Sequence, residues 1–341
     1  MELDYLLPLI FAALMALAFF LYAILDGYDL GVGLLLPLGD AKERDTLIAS
    51  IGPFWDANET WLVLGVGILL IAFPAAHSIV LGTLYLPVLV LLVGLILRGV
   101  AFDFRAKVPT HRKELWDTLF FVGSLLACLA QGYMLGWYVL GFSPGWWPQI
   151  FAVLSAVCVT CAYAFIGGTW LIMKCEGELQ RRVARWAQIT LWFMMLGIIA
   201  VSLVNPLVSK PIFDKWFSLP EAILLLPIPI LCGVTLMGTA YFLSFHFPKN
   251  VPEKNLPSVI PMDWLPFGAT ILTFFLCFQG LAYSFYPYVV PFELTIWEAA
   301  AATQSLAFVG VGVAIVFPVI LAYTLLSYRV FWGKAEPLQY Y

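Results

Sequence analysis

The sequence predicts an all-α integral membrane protein of about nine transmembrane helices, on three observations. Of its 341 residues, 62% are hydrophobic and only 11% are charged, with a mean hydropathy of +0.95. Soluble domains run nearer 45–50% apolar and about 25% charged. Second, nine apolar segments are each long enough to cross a hydrocarbon core of about 30 Å, which takes roughly 20 helical residues. Third, Lys and Arg fall in alternate connections between those segments, the pattern of a polytopic chain. The net charge of −4 comes with no basic stripe, which argues against a nucleic-acid partner.

The first segment, 6–37, follows an N-terminus, MELDYLLPLIF, that is acidic and has no Lys or Arg. A secretory signal begins positively charged and ends at a small-residue cleavage site, so this segment is expected to remain as a span. The second, 54–73, begins after the breaker Gly52-Pro53 and runs without interruption to Pro74. The third, 78–101, ends in RGVAFDFR, and the fourth, 117–140, opens on Trp116-Asp117. The fifth, 148–173, follows SPGWWP and carries Cys158 and Cys161, which at mid-helix read as small packing residues. The remaining segments are 187–206, 221–246, 264–286 and 301–332. The first and last exceed a perpendicular span and must tilt or project into solvent. Every connection is short, so a single transmembrane domain over 1–341 is expected, with no soluble domain. The aromatic connections, Ser143–Pro148 and Tyr283–Pro291, read as an interfacial belt.

Sidedness follows from the basic residues. Fifteen of the seventeen lie at one set of ends: Lys42 and Arg44; Arg98, Arg105, Lys107, Arg112 and Lys113; Lys174, Arg181, Arg182 and Arg185; Lys249 and Lys254; Arg329 and Lys334. Only Lys210 and Lys215 lie at the other. The positive-inside rule then puts the N-terminus outside and the C-terminus inside.

Acidic residues inside the apolar runs are the chemical signal. LDGYDLGVG (25–33) carries Asp26 and Asp29, and GPFWDANETWLVLGVG (52–67) carries Asp56 and Glu59 beside Trp55. At 1.5 Å per residue, Asp26 lies about 30 Å beyond the start of the first span, at its inner boundary. The second span starts from that boundary, so Asp56 and Glu59 lie at a similar depth. Tyr22, Asp26 and Asp29 share one helical face. Gly27 and Gly31 make a GxxxG that admits a close neighbour, so the acidic face is expected to be buried against protein. A carboxylate at a helix centre costs about 2.5–3.5 kcal/mol on the insertion scale. A structural role would offset that with partners such as Arg98 or Arg105. A functional role would make these acids a proton relay or uptake site.

The three histidines, His77, His111 and His246, all fall near segment ends rather than on facing helices at mid-membrane. That placement suits neither a bis-His haem nor a binuclear metal site.

Four stretches together, LDGYDLGVG, GPFWDANETWLVLGVG, RGVAFDFR and Trp116-Asp117, resemble subunit II of cytochrome bd quinol oxidases, including the cyanide-insensitive branch. The resemblance extends over the whole chain in length and helix count. It implies a partner, subunit I, that carries b-type haems and a d-type haem. It also implies membrane lipid around the complex, a small single-helix accessory subunit, quinol as substrate and a bound quinone as a further candidate. The implied reaction oxidises quinol and reduces dioxygen to water, with protons taken from the cytoplasm of a bacterial cell whose inner membrane holds the complex. On this reading Asp26, Asp29, Trp55, Asp56 and Glu59 are the proton-path candidates, and this chain by itself is not catalytic. The alternatives are an ion-coupled secondary transporter, which would show inverted repeats and acids at mid-membrane, and a purely structural membrane subunit.

Overall fold

The structure, a computed structural model, describes residues 2–109, 112–247 and 262–335. His111, Lys249 and Lys254 lie outside the described residues. Helix α1 spans Glu2–Leu35, α2 Ala41–Ile51, α3 Trp55–Ala72, α4 Pro74–Lys107, α5 Lys113–Val139, α6 Trp146–Lys174 and α7 Gly177–Val208. There follow α8 Lys210–Phe217, α9 Glu221–Leu225, α10 Pro227–His246 and α11 Leu265–Phe285. A two-stranded antiparallel hairpin (β1 Tyr288–Val290, β2 Leu294–Thr295), α12 Ile296–Ala299 and α13 Thr303–Val330 complete the chain. Among the described residues nine helices are long and apolar enough to cross a membrane. They coincide with the nine predicted segments.

The departures have local causes. The link after α1 holds α2, because Asp40 and Glu43 form a reciprocal capping box: Asp40 accepts from Glu43 N at 2.9 Å and Glu43 from Asp40 N at 2.9 Å. Helix α7 begins ten residues before the apolar segment at 187, since the GELQRRVARWA stretch contains good helix formers that are not apolar. The seventh segment is divided into α9 and α10 at Leu226, immediately before Pro227. Proline lacks the N–H that would continue the ladder and is at home at the first position of a new helix.

The chain divides into two compact units, each assembled from separated stretches. The first comprises the chain up to Asp26, Pro53–Tyr85 and Phe285–Gly333. Its core joins Ala18 and Tyr22 of α1, Trp61 of α3 and Phe317 of α13. At the end remote from Asp26, Trp297 stacks on Tyr5 at 4.8 Å and donates to its carbonyl, while Ala301 N donates to Ala72 O at 2.8 Å.

The second unit comprises Gly27–Gly52, Leu86–Ser284 and the chain from Lys334. Here glycines set the helix spacing. A β-carbon on Gly94 of α4 would lie 2.8 Å from Gly123 O of α5, and the reverse contact would be 2.7 Å. Helices meet this closely in membranes because packing and interhelical contacts replace the hydrophobic drive available in water. Cys158 packs on Gly197, where α6 meets α7. Trp216 of α8 donates to Ser284 at 2.8 Å, which ties that short helix to the end of α11.

Candidate functional site

In the first unit the site grows from the face that α3 turns to α1. The buried residues of α3 are Asn58, Trp61, Gly65, Ile68, Leu69 and Ala72, one helical stripe. Asn58 is 1% exposed. Its Nδ2 donates to the carbonyl of Leu25, the residue before Asp26, at 3.2 Å. Its Oδ1 accepts from the hydroxyl of Tyr328 on α13 at 3.2 Å. The Tyr328 ring is stacked on Phe54 at 4.6 Å. One amide therefore links α1, α3 and α13 beside Asp26. Asp26 itself is fully buried, and Tyr22, one turn earlier, is packed into the core with Trp61. The acidic face of α1 is thus inside protein, as its spacing predicts.

Trp55, Asp56 and Glu59 occupy the first turns of α3, but not its buried stripe. Trp55 and Glu59 are partly buried and Asp56 is exposed. Asp56 stands two positions before Asn58, a step of about 200° around the helix. Asp56 therefore points away from the face that holds Asn58 against α1, and the two acidic motifs do not share one face.

In the second unit Asp29 is also fully buried. Its neighbour Tyr28 stacks on Trp170 of α6 at 4.1 Å, and the Lys174 ammonium lies 4.8 Å from the centre of that indole. Arg98 is fully buried. Arg105, a candidate counter-charge for the α1 acids, is engaged elsewhere. Its Nε donates to Asp117 of α5 and its Nη1 to Asp45 of α2 at 2.7 Å. Lys113 also donates to Asp45, at 2.9 Å. Burial would raise the Asp45 carboxyl, but hydrogen bonds from Lys113 and Arg105 outweigh it and hold the group below its ordinary 3.8. RGVAFDFR and Trp116-Asp117 therefore contain a clamp joining α2, α4 and α5. A second clamp closes the far end of α6: Lys334 donates to Asp263 at 2.5 Å and to Cys175 O at 3.1 Å.

His77 lies in the first turn of α4. His246 ends α10, with Nδ1 3.1 Å from Phe242 O and its ring stacked on Phe242 at 4.1 Å. Among the described residues no three His, Cys, Asp or Glu side chains stand together as metal ligands.

What the sequence left out of its candidates is Asn58 and Tyr328. Asn58 was visible as a polar residue in the first turns of an apolar helix. Tyr328 carried no signal, being one aromatic among many in the last span.

The family model for cytochrome bd terminal oxidase subunit II matches residues 7–331. The chain belongs to that family. It is 27% identical over 350 residues to cytochrome bd ubiquinol oxidase subunit 2 of Bacillus subtilis strain 168, covering 96% of this chain and 97% of that protein. It is also 27% identical over 357 residues to cytochrome bd-I ubiquinol oxidase subunit 2 of Escherichia coli K12, covering 92% and 91%. The solved bd oxidase of Geobacillus thermodenitrificans shares the fold, with a TM-score of 0.75 at 14% identity over 96% of this chain and 99% of that one. The chain is thus a multi-span subunit of a haem-containing respiratory oxidoreductase, a cytochrome bd quinol oxidase, as its motifs suggest. The transporter alternative is set aside.

Proposed function

We propose that this chain is the proton-conducting support of a complex that oxidises quinol and reduces dioxygen to water. Subunit I holds the b-type and d-type haems in this reading, and a small accessory subunit attaches to the pair. The complex lies in the bacterial cytoplasmic membrane, with the N-terminus of this chain outside and its C-terminus inside. The chain supplies no redox centre. Its task is to hold acids along a route from the cytoplasm, with Asp26 and Asp29 as internal members and Asp56 and Glu59, beside Trp55, at the mouth.

The observation that carries the proposal is the full burial of both α1 carboxyls in a membrane helix. A buried carboxyl is expensive in this setting. A carboxyl can take up and release a proton, whereas an amide of the same shape cannot. Asp26→Asn in the complete complex is therefore expected to retain haem and slow quinol-driven oxygen consumption. A variant with full haem and unaltered turnover would sink the proton role of Asp26.

A further inference from the structure

We propose that Asn58, steadied by Tyr328, is a positioning residue that fixes the rotation of α1 at Asp26. The proposal rests on the proton-path reading of Asp26 and deepens it. Three features of the geometry point the same way.

First, the orientation of the Asn58 amide is dictated by its partners. The Leu25 carbonyl can only accept, so the amide must present its NH2 there, at 3.2 Å. That leaves Oδ1 facing Tyr328, whose hydroxyl must then donate, at 3.2 Å. A flipped amide would set two acceptors against each other at Leu25.

Second, the bond falls on a position with leverage. A helix carbonyl already receives the N–H four residues on, so Leu25 O carries the ladder bond and the Asn58 bond together. The extra bond pins α1 at one peptide. Successive side chains on a helix are 100° apart, so fixing the rotation at Leu25 fixes the direction of the Asp26 carboxyl on the next residue.

Third, the donor is itself held. The Tyr328 ring lies nearly parallel to Phe54, with centroids 4.6 Å apart and planes 24° apart. Phe331 meets Phe54 edge-on at 6.0 Å. Phe54 precedes α3 and accepts Asn58 N at 3.0 Å. Backbone and ring thus set Asn58 and Tyr328 from the same residue. Interhelical hydrogen bonds help to hold membrane helices together, and a buried amide costs stability unless it is bonded. Its placement one residue from a buried acid is accounted for by aiming that acid.

The test uses the complete oxidase complex, with haem content confirming assembly of every variant. Tyr328→Phe keeps the ring stack and removes the donated bond. Asn58→Ala removes both bonds. The expected result is a kcat lowered about fivefold in the first and about tenfold or more in the second, with KM for quinol unchanged. In an Asp26→Asn background Asn58→Ala should add no further loss, because residues acting through one group are not additive. Should Asn58→Ala fail to assemble, Tyr328→Phe carries the same comparison. Full kcat in Tyr328→Phe and Asn58→Ala, or losses that multiply with Asp26→Asn, would overturn the positioning role while Asp26 keeps its own. An Asp26→Asn complex at full rate would remove the proton path and, with it, anything for Asn58 to aim.

Discussion

Gly31 of α1 and Gly167 of α6 lie backbone against backbone. A β-carbon on Gly31 would come within 1.8 Å of Tyr163 O and 2.9 Å of the Gly167 α-carbon, and one on Gly167 would come within 2.4 Å of the Gly31 carbonyl carbon. No rotamer relieves such a contact, because both sides are main chain. Gly31→Ala must push α1 from α6, at a cost of about 1–3 kcal/mol or more. Gly67→Ala makes the control: nothing lies within 4 Å of its added carbon. Alanine there should be neutral or gain up to about 1 kcal/mol of helix propensity. The thermal midpoint of the complex and the yield of haem-loaded protein should fall for Gly31→Ala and hold for Gly67→Ala.

The Arg105 clamp predicts an asymmetric response. Asp117 is 6% exposed, and Arg105→Met leaves its carboxylate buried without its closest cation. Breaking a buried pair from one side costs about 3–5 kcal/mol, part of which Arg44, 3.4 Å from Asp117, offsets. Asp45→Asn should do far less, since its side chain is half exposed and surface pairs contribute about 0–1 kcal/mol. The pH dependence has a definite sign. A carboxyl held below 3.8 in the folded protein stabilises it above that pH and loses the contribution as pH falls through the lowered value. Asp45→Asn should therefore lower stability by the same small amount throughout the neutral range and flatten the acid lability below about pH 4, where the original carboxyl loses its contribution anyway. Thermal melts across pH would show this.

The nine spans were legible because hydropathy over a span's length is a strong signal, and the burial of Asp26 because Gly27 and Gly31 stand beside it. The direction of Asp56 was not. Depth along a helix follows from residue count, but the face depends on what packs there, and the stripe led by Asn58 decides it. The structural use of Arg105 was equally hidden. Its partners Asp45 and Asp117 lie 60 and 12 residues away, a pairing that only the fold creates. The helix α2 could have been read from Asp40 and Glu43, which carry the capping-box spacing.

The charge asymmetry predicts where the chain ends. Fifteen basic residues against two is far beyond what chance sorting gives, and short loops obey this bias most strictly. A reporter fused after Tyr341 should be active as a cytoplasmic fusion and silent as a periplasmic one. A periplasmic signal would invert every span and move Asp26 and Asp56 to the opposite face of the membrane.

Asp56 is the acid whose role the geometry makes most open to test. It stands in the first turn of α3, exposed and pointing away from the Asn58 stripe, so it is not part of the link that binds α1 to α3. An exposed carboxylate at a helix start has little structural work to do in this chain: water or the helix N-terminus satisfies it. Its replacement by Asn keeps the shape and removes the negative charge and, with it, the capacity to exchange a proton. Positioned proton-transfer groups contribute typically about 10²–10⁴-fold, and one backed by bulk water contributes less, so a loss of roughly tenfold in oxygen consumption is expected for Asp56→Asn. Haem content should remain complete, since no buried ion pair is broken. Asp26→Asn should be slower still, because no water stands behind a buried acid. The two losses should combine less than multiplicatively if both acids serve one route. Full turnover by assembled Asp56→Asn across about pH 6 to 8 would leave Asp56 an ordinary surface acid and require the route to open elsewhere.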